Sequence, residues 1–315
     1  MTMYDRASRW SDAPQSYPDP AVVRTDPRFD ELVLPFAAVE RIAGGCRWAE
    51  GPVWFGDHRC LIWSDIPNNR MLRWDEQSGQ VTVFREPSNN ANGGTRDREG
   101  RLVSCEHLTR RVVRTEYDGS ITVLADSFEG RPLNSPNDVT VAPDGALWFT
   151  DPTYGILGDY EGRRAEPQNP TAVYRIDPGT LEVTRRITGP EQPNGLCFSP
   201  DGTTLYVVDS GGHPGHILAY THHAGVLGTG REFATMHAGG GDGIACDTHG
   251  NVWAAAQGAD GYRGVHVFGH DGTEIGRVLL PEQCSNLEFG GAHGNRLFMT
   301  ASQSVYSLYV NASGA

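Results

Sequence analysis

One unit recurs along this chain, and it limits the fold more than any other feature. Residues 137–151, NDVTVAPDGALWFTD, and residues 194–210, NGLCFSPDGTTLYVVDS, share a layout: an Asn, a short β-type run, a Pro-Asp-Gly turn and a second run reaching an Asp. Segments opening at Glu50, Asn92, Asp242 and Asn286 follow the same layout, so six anchors stand 42, 45, 57, 48 and 44 residues apart. Self-similarity at such a period marks a repeat architecture. Inside each unit, two β-type runs flank a Gly-bearing turn such as Asp144-Gly145, Asp201-Gly202 or His249-Gly250, which predicts a hairpin. Two further strand-like runs usually follow, as in AVYRIDPGT with LEVTRRI.

Four short strands per unit, without helical periodicity, predict an all-β protein: a six-bladed β-propeller with four-stranded blades. The sixth unit offers three strands, ending at residues 304–310, while AAVERIAGG at 37–45 has no hairpin partner of its own. This N-terminal strand is therefore expected to pair into the last blade and close the ring, which removes an open sheet edge. Residues 1–35, Pro-rich and polar, are expected to form an arm outside the ring, and residues 36–315 the propeller domain.

In a propeller the first strand of each blade lines a central channel. Glu50, Asn92, Asn137, Asn194, Asp242 and Asn286 should then ring one mouth, and all six carry side-chain oxygen. Each second strand ends beside the start of the first, which adds Asp65, Glu106 with His107, Asp151, Asp209 with Ser210, Gln257 and Gln303 to the same face. Residues 152–170 form a long connection there, a candidate lid. Asn-Gly and Asp-Gly are also ordinary turn dipeptides, so any single anchor reads equally as turn punctuation. Turn chemistry does not explain Glu50, however, and two carboxylates across a narrow channel repel unless a cation lies between them. Oxygen donors suit one hard divalent cation: Ca²⁺ foremost, with Mg²⁺ or Mn²⁺ as alternatives, and Zn²⁺ less suited because it favours His and Cys.

Composition narrows the partners. A net charge of −13 and a pI near 5.2 argue against nucleic acid and anionic membranes. No run approaches a membrane span and the N-terminal stretch lacks an apolar signal core, so a cytoplasmic protein is expected. The six cysteines form no C-x-x-C pair and read as reduced core thiols. Trp54, Trp63, Trp148 and Trp253 recur within blades and read as inter-blade core. G-x-S-x-G, H-E-x-x-H and Walker motifs are absent.

AEGPVW at 49–54, SPNDV at 135–139, QPNGLCFSPDG at 192–202 and GDGIACD at 241–247 together resemble the gluconolactonase/regucalcin (senescence marker protein) family, and SCEHLTRRVVR at 104–114 resembles its bacterial gluconolactonase branch. The resemblance implies a propeller that binds one divalent cation and hydrolyses a sugar lactone, a gluconolactonase-like carboxylic ester hydrolase. It places the metal on Glu50, Asn194 and Asp242, with Asn137 as a fourth ligand or substrate contact; Asn92 and Asn286 remain channel-lining or turn residues. In animal regucalcins an Arg that helps hold the sugar stands two residues before the Asn matching Asn137. Here that position is Ser135, taken as the corresponding substrate contact. Asp242 is the leading general base and Asp151 the second, while Glu106 and His107 are further candidates for that role and for substrate contact. The alternatives are a non-enzymatic Ca²⁺-binding or protein-binding propeller and a promiscuous esterase or organophosphate hydrolase.

Overall fold

The computed structural model describes residues 16–237 and 239–315; residues 1–15 of the expected arm lie outside the described residues. Six antiparallel blades form a ring. Blade 1 runs through Ala49–Phe55, Cys60–Asp65, Arg70–Asp75 and Val81–Arg85, and blade 2 through Ala91–Arg96, Leu102–Glu106, Arg111–Thr115 and Ile121–Ala125. Val139–Val141, Leu147–Asp151, Ala172–Ile176 and Val183–Ile187 make blade 3. Pro193–Phe198, Thr204–Asp209, Gly215–His223 and Arg231–Met236 make blade 4. Blade 5 uses Gly239–Cys246, Val252–Gly258, Gly264–Phe268 and Glu274–Leu279, and blade 6 uses Cys284–Gly290, Arg296–Ala301 and Ser304–Tyr309. Glu40–Gly44 supplies the fourth strand of blade 6, with Arg41 opposite Tyr306. The first strands pack against one another in sequence, and the first strand of blade 6 meets that of blade 1.

Burial between blades holds the ring. Trp63, Trp148 and Trp253 are fully buried, in apolar clusters that span blades 6 and 1, 3 and 4, and 5 and 6 respectively. Large flat side chains suit these interfaces because each removes so much apolar surface from water. All six cysteines are buried and free. Among the described residues, no helix is long and apolar enough to cross a membrane.

The segment before blade 1 is attached more closely than its polar composition suggests. Val22–Arg24 adds a fifth strand to the outer edge of blade 5, pairing with Glu274–Leu279. The short 3₁₀ helix Pro27–Glu31 then buries Phe29 beside Trp253, with ring centroids 6.2 Å apart. Asp19 accepts from the backbone N–H groups of Ala21 and Val39, both at 2.8 Å, and fixes where the chain leaves this edge.

Candidate active site at the channel mouth

All six anchors are buried at one end of the channel. The first strands of blades 1, 2, 4, 5 and 6 slip register against their second strands at the anchor, for example between Glu50 and Val53 and between Gly241 and Ile244. Such a bulge bends the strand and re-aims its side chains. The residue after the anchor explains the recurring glycine. A Cβ on Gly195 would lie 2.3 Å from the Asp242 carbonyl oxygen, and one on Gly243 would lie 2.0 Å from Asn286 Oδ1. These glycines admit the next blade's anchor. Asn92 and Asn286, expected as channel-lining or turn residues, are buried channel residues with partners of their own.

Blade 3 breaks this pattern with Asp138 where blades 1, 2, 4 and 5 have glycine, and its carboxylate enters the bore. Asn286 Nδ2 donates to Glu50 Oε2 at 3.1 Å and reaches Asp138 Oδ2 at 3.4 Å. Asp242 Oδ2 accepts from Gln257 Nε2 at 2.6 Å. Asn194 Nδ2 donates to Ser210 Oγ at 3.3 Å, and Ser210 Oγ meets the Tyr154 hydroxyl at 2.8 Å. No hydrogen bond among the described residues engages Glu50 Oε1, Asp242 Oδ1, Asn194 Oδ1 or the side-chain amide of Asn137.

These carboxyls disturb one another. Burial, then Asp138, pushes Glu50 up to about 8. Burial carries Asp138 to about 7, and burial followed by the Glu50 charge holds Asp242 well above the usual range. Glu161, on the covering loop, is raised by burial and adds its charge to Glu50 and Asp242. Among the described residues no Arg or His pairs with any of the four. Converging buried carboxylates without a counter-charge, beside free amide oxygens, are the donor chemistry of a hard-cation site. Glu50, Asn137, Asn194 and Asp242 carry oxygen donors of that type.

Other residues picked from the sequence have different work. Asp151 Oδ2 and Oδ1 accept from the backbone N–H groups of Asn134 and Ser135, each at 2.8 Å. Asp209 accepts from Glu191 N and Gln192 N at 2.9 Å, and Asp65 accepts from Arg47 N at 2.9 Å. Each thus clamps the backbone two or three residues ahead of an anchor, and both Asp151 oxygens are occupied by that task. The fully buried Glu106 is ringed by Arg85, Asn89, Thr109 and Arg111, with Arg111 Nε at 2.7 Å. Ser135 Oγ donates to the Pro152 carbonyl at 2.8 Å and accepts from Gly155 N at 3.1 Å, so it pins the loop. Asp151, considered as a base, and Glu106 and Ser135, considered as substrate contacts, thus have their oxygens engaged by backbone amides, by arginines and by the loop. His107 sits under the loop, where burial lowers it to about 4 and both ring nitrogens are engaged, Nε2 by Asn92 Nδ2 at 3.1 Å and Nδ1 by the Glu161 carbonyl oxygen at 3.0 Å.

Residues 152–170 lie across the mouth, tied down by Thr153 N to Gln192 Oε1 at 3.1 Å, Tyr154 to Ser210, and Asn134 Nδ2 to the Asn169 carbonyl at 3.0 Å. The sequence reading missed Glu161 and Tyr154, because only tertiary contacts place this loop. It also missed Asp138, although the break in the anchor-Gly pattern marks it. A cavity of about 740 Å³ enters from the opposite end of the channel and reaches Asp138 and Asn286 from below.

Fold and mouth together define a six-bladed propeller with an acidic, loop-covered channel site. Residues 48–303 match the family described as the SMP-30/gluconolactonase/LRE-like region, and the chain belongs to that family. It is 32% identical to a gluconolactonase of Zymomonas mobilis, with 93% of this chain and 87% of that protein aligned. It is 31% identical to a pentonolactonase of Haloferax volcanii, with 81% of each covered. A solved gluconolactonase structure from Xanthomonas campestris superposes with a TM-score of 0.87 at 34% identity, covering 95% of this chain and 96% of that one.

Proposed function

We propose that this enzyme hydrolyses a sugar lactone, of the glucono-1,5-lactone kind, to the open aldonate, and that it does so with a divalent cation, Ca²⁺ foremost. The observation that carries this reading is that Glu50, Asp138 and Asp242 are buried at one covered mouth, with Asn286 bridging Glu50 and Asp138 and no cationic side chain paired to them among the described residues, in a chain related to gluconolactonases and a pentonolactonase. Glu50, Asn137, Asn194 and Asp242 would hold the cation, which when bound supplies Lewis-acid polarisation of the ester carbonyl and a more acidic water.

The chain's own groups supply the rest. Gln257 holds Asp242 Oδ2 and leaves Oδ1 without a hydrogen-bond partner among the described residues, and this oxygen takes the proton of the attacking water. Ser210, braced by Tyr154, orients the Asn194 amide so that its oxygen faces inward. Asn286 fixes the Glu50 carboxylate. The loop that carries Glu161 and Tyr154 excludes bulk water, which strengthens every one of these electrostatic contacts.

The test is an aldonolactone panel assayed on exhaustively chelated protein and after return of Ca²⁺, Mg²⁺, Mn²⁺ or Zn²⁺. Activity should appear only with metal, and Asp242→Asn should remove it while the circular-dichroism spectrum stays unchanged. Full turnover in the chelated protein would falsify the metal mechanism, and no turnover of any lactone by metal-loaded protein would overturn the lactonase reading.

A further inference from the structure

His107 joins the channel to the loop that covers it. Its Nε2 lies 3.1 Å from Asn92 Nδ2, and its Nδ1 lies 3.0 Å from the Glu161 carbonyl oxygen. A carbonyl only accepts, so Nδ1 carries the proton. An imidazole protonated there alone offers an acceptor at Nε2, and the Asn92 atom facing it must be the donating NH₂. The ring is 1% exposed, and its lowered pKa keeps it neutral through the physiological range. The Asn92 amide is thereby held in one orientation, with Oδ1 turned away from His107.

That oxygen is buried and has no hydrogen-bond partner among the described residues. An acceptor left unmet in a closed site costs about 1–3 kcal/mol. Its place in the ring is informative, because Asn92 stands between Glu50 and Asn137, on a first strand flanked by those of blades 1 and 3. Two backbone contacts fix the strand itself. The Asn92 carbonyl accepts from Ser64 Oγ at 2.8 Å, and Gly93 N donates to the Asn137 carbonyl at 2.8 Å. An oriented acceptor beside the cluster, under a loop that grips its neighbour, calls for a donor that the described residues do not supply.

We propose that Asn92 determines specificity by accepting a hydrogen bond from a ring hydroxyl of the lactone, and that His107, held by the covering loop, is the positioning residue that presents it. The inference rests on the lactonase reading and adds what that site recognises: a polyhydroxylated lactone, selected through a hydroxyl and not through the ester alone.

The test compares glucono-1,5-lactone with δ-valerolactone, the same six-membered ring without hydroxyls, using metal-loaded wild type, Asn92→Ala, His107→Leu and His107→Gln. Asn92→Ala should raise KM for glucono-1,5-lactone by about 5- to 150-fold, the equivalent of one unmet hydrogen bond, and should leave kcat/KM for δ-valerolactone close to the wild-type value. His107→Leu should reproduce that selective KM effect. His107→Gln, whose Oε1 replaces Nε2 as the acceptor for the Asn92 NH₂, should restore most of the discrimination. Should Asn92→Ala fail to fold, the contrast between the two His107 variants carries the same comparison. Equal losses on both lactones, or an unchanged KM for glucono-1,5-lactone, overturn the proposal and assign the free oxygen to the cation or to a trapped water. Wild type inactive on both lactones overturns the lactonase reading and this inference with it.

Discussion

Asn286 donates to Glu50 Oε2 at 3.1 Å, a bond from blade 6 to blade 1 across the join of the ring. The same NH₂ reaches Asp138 in blade 3 at 3.4 Å, so a single amide spaces two carboxylates whose charges oppose one another. Asn286→Ala releases both. Groups that orient metal ligands typically contribute 10–100-fold in affinity, so Ca²⁺ binding measured by titration calorimetry should weaken by about that factor. The circular-dichroism spectrum should not change.

Asp151 separates a clamp from a base. Both its oxygens accept backbone N–H groups just ahead of Asn137. Asp151→Asn turns one acceptor into a donor facing an N–H, and should cost about 1–3 kcal/mol of stability in urea unfolding. The pH profile of kcat/KM should keep its shape, with its height reduced. Loss of the acid limb together with a 10²–10⁴-fold fall, the range for a lost general base, would return Asp151 to the chemistry.

In cation-free protein the pH dependence of stability has a definite sign. Burial raises Glu50 to about 8 and Asp138 to about 7, against ordinary values of 4.5 and 3.8. Between the ordinary and the raised values the unfolded chain gives up these protons while the folded chain keeps them, so the folded state binds more protons and stability falls as pH rises. The melting temperature of chelated protein should drop from pH 5 to pH 8. Ca²⁺ favours the ionised carboxylates, so the stabilisation it confers should widen over the same interval. A flat difference between chelated and Ca²⁺-loaded melting curves would contradict this coupling.

Phe29 is the apolar anchor of the segment ahead of the ring. It is fully buried beside Trp253, and Val22–Arg24 pairs with the outer strand of blade 5. Phe29→Ala should cost about 3–5 kcal/mol by equilibrium unfolding, the range for a buried Phe truncation. The effect on kcat in the folded fraction should be small, because the mutated edge lies at the outer rim of the ring and the site at its centre.

Much of the architecture is legible in the chain because each blade must solve the same local problem. Two inner strands need a tight turn between them, as at Pro143-Asp144-Gly145 and Pro200-Asp201-Gly202, and turn residues repeat visibly. Val22–Arg24 escapes notice because three residues carry no periodicity, and pairing to a distant edge gives them their only order. At the mouth, Glu50, Asn194 and Asp242 can be picked out because oxygen-bearing residues recur in register. Glu106, Ser135 and Asp151 carry the same chemistry and occupy neighbouring positions, yet their oxygens are spent on arginines, the loop and backbone amides.

The sequence by itself determined the repeat, the number of blades and the ring of oxygen-bearing anchors, because these follow from periodicity and from residue type. Only the tertiary structure decided which oxygens remain free. A carboxylate's role depends on what reaches it from other blades: two backbone amides make Asp151 a clamp, one glutamine leaves half of Asp242 open, and a loop far along the chain brings Glu161 over the mouth.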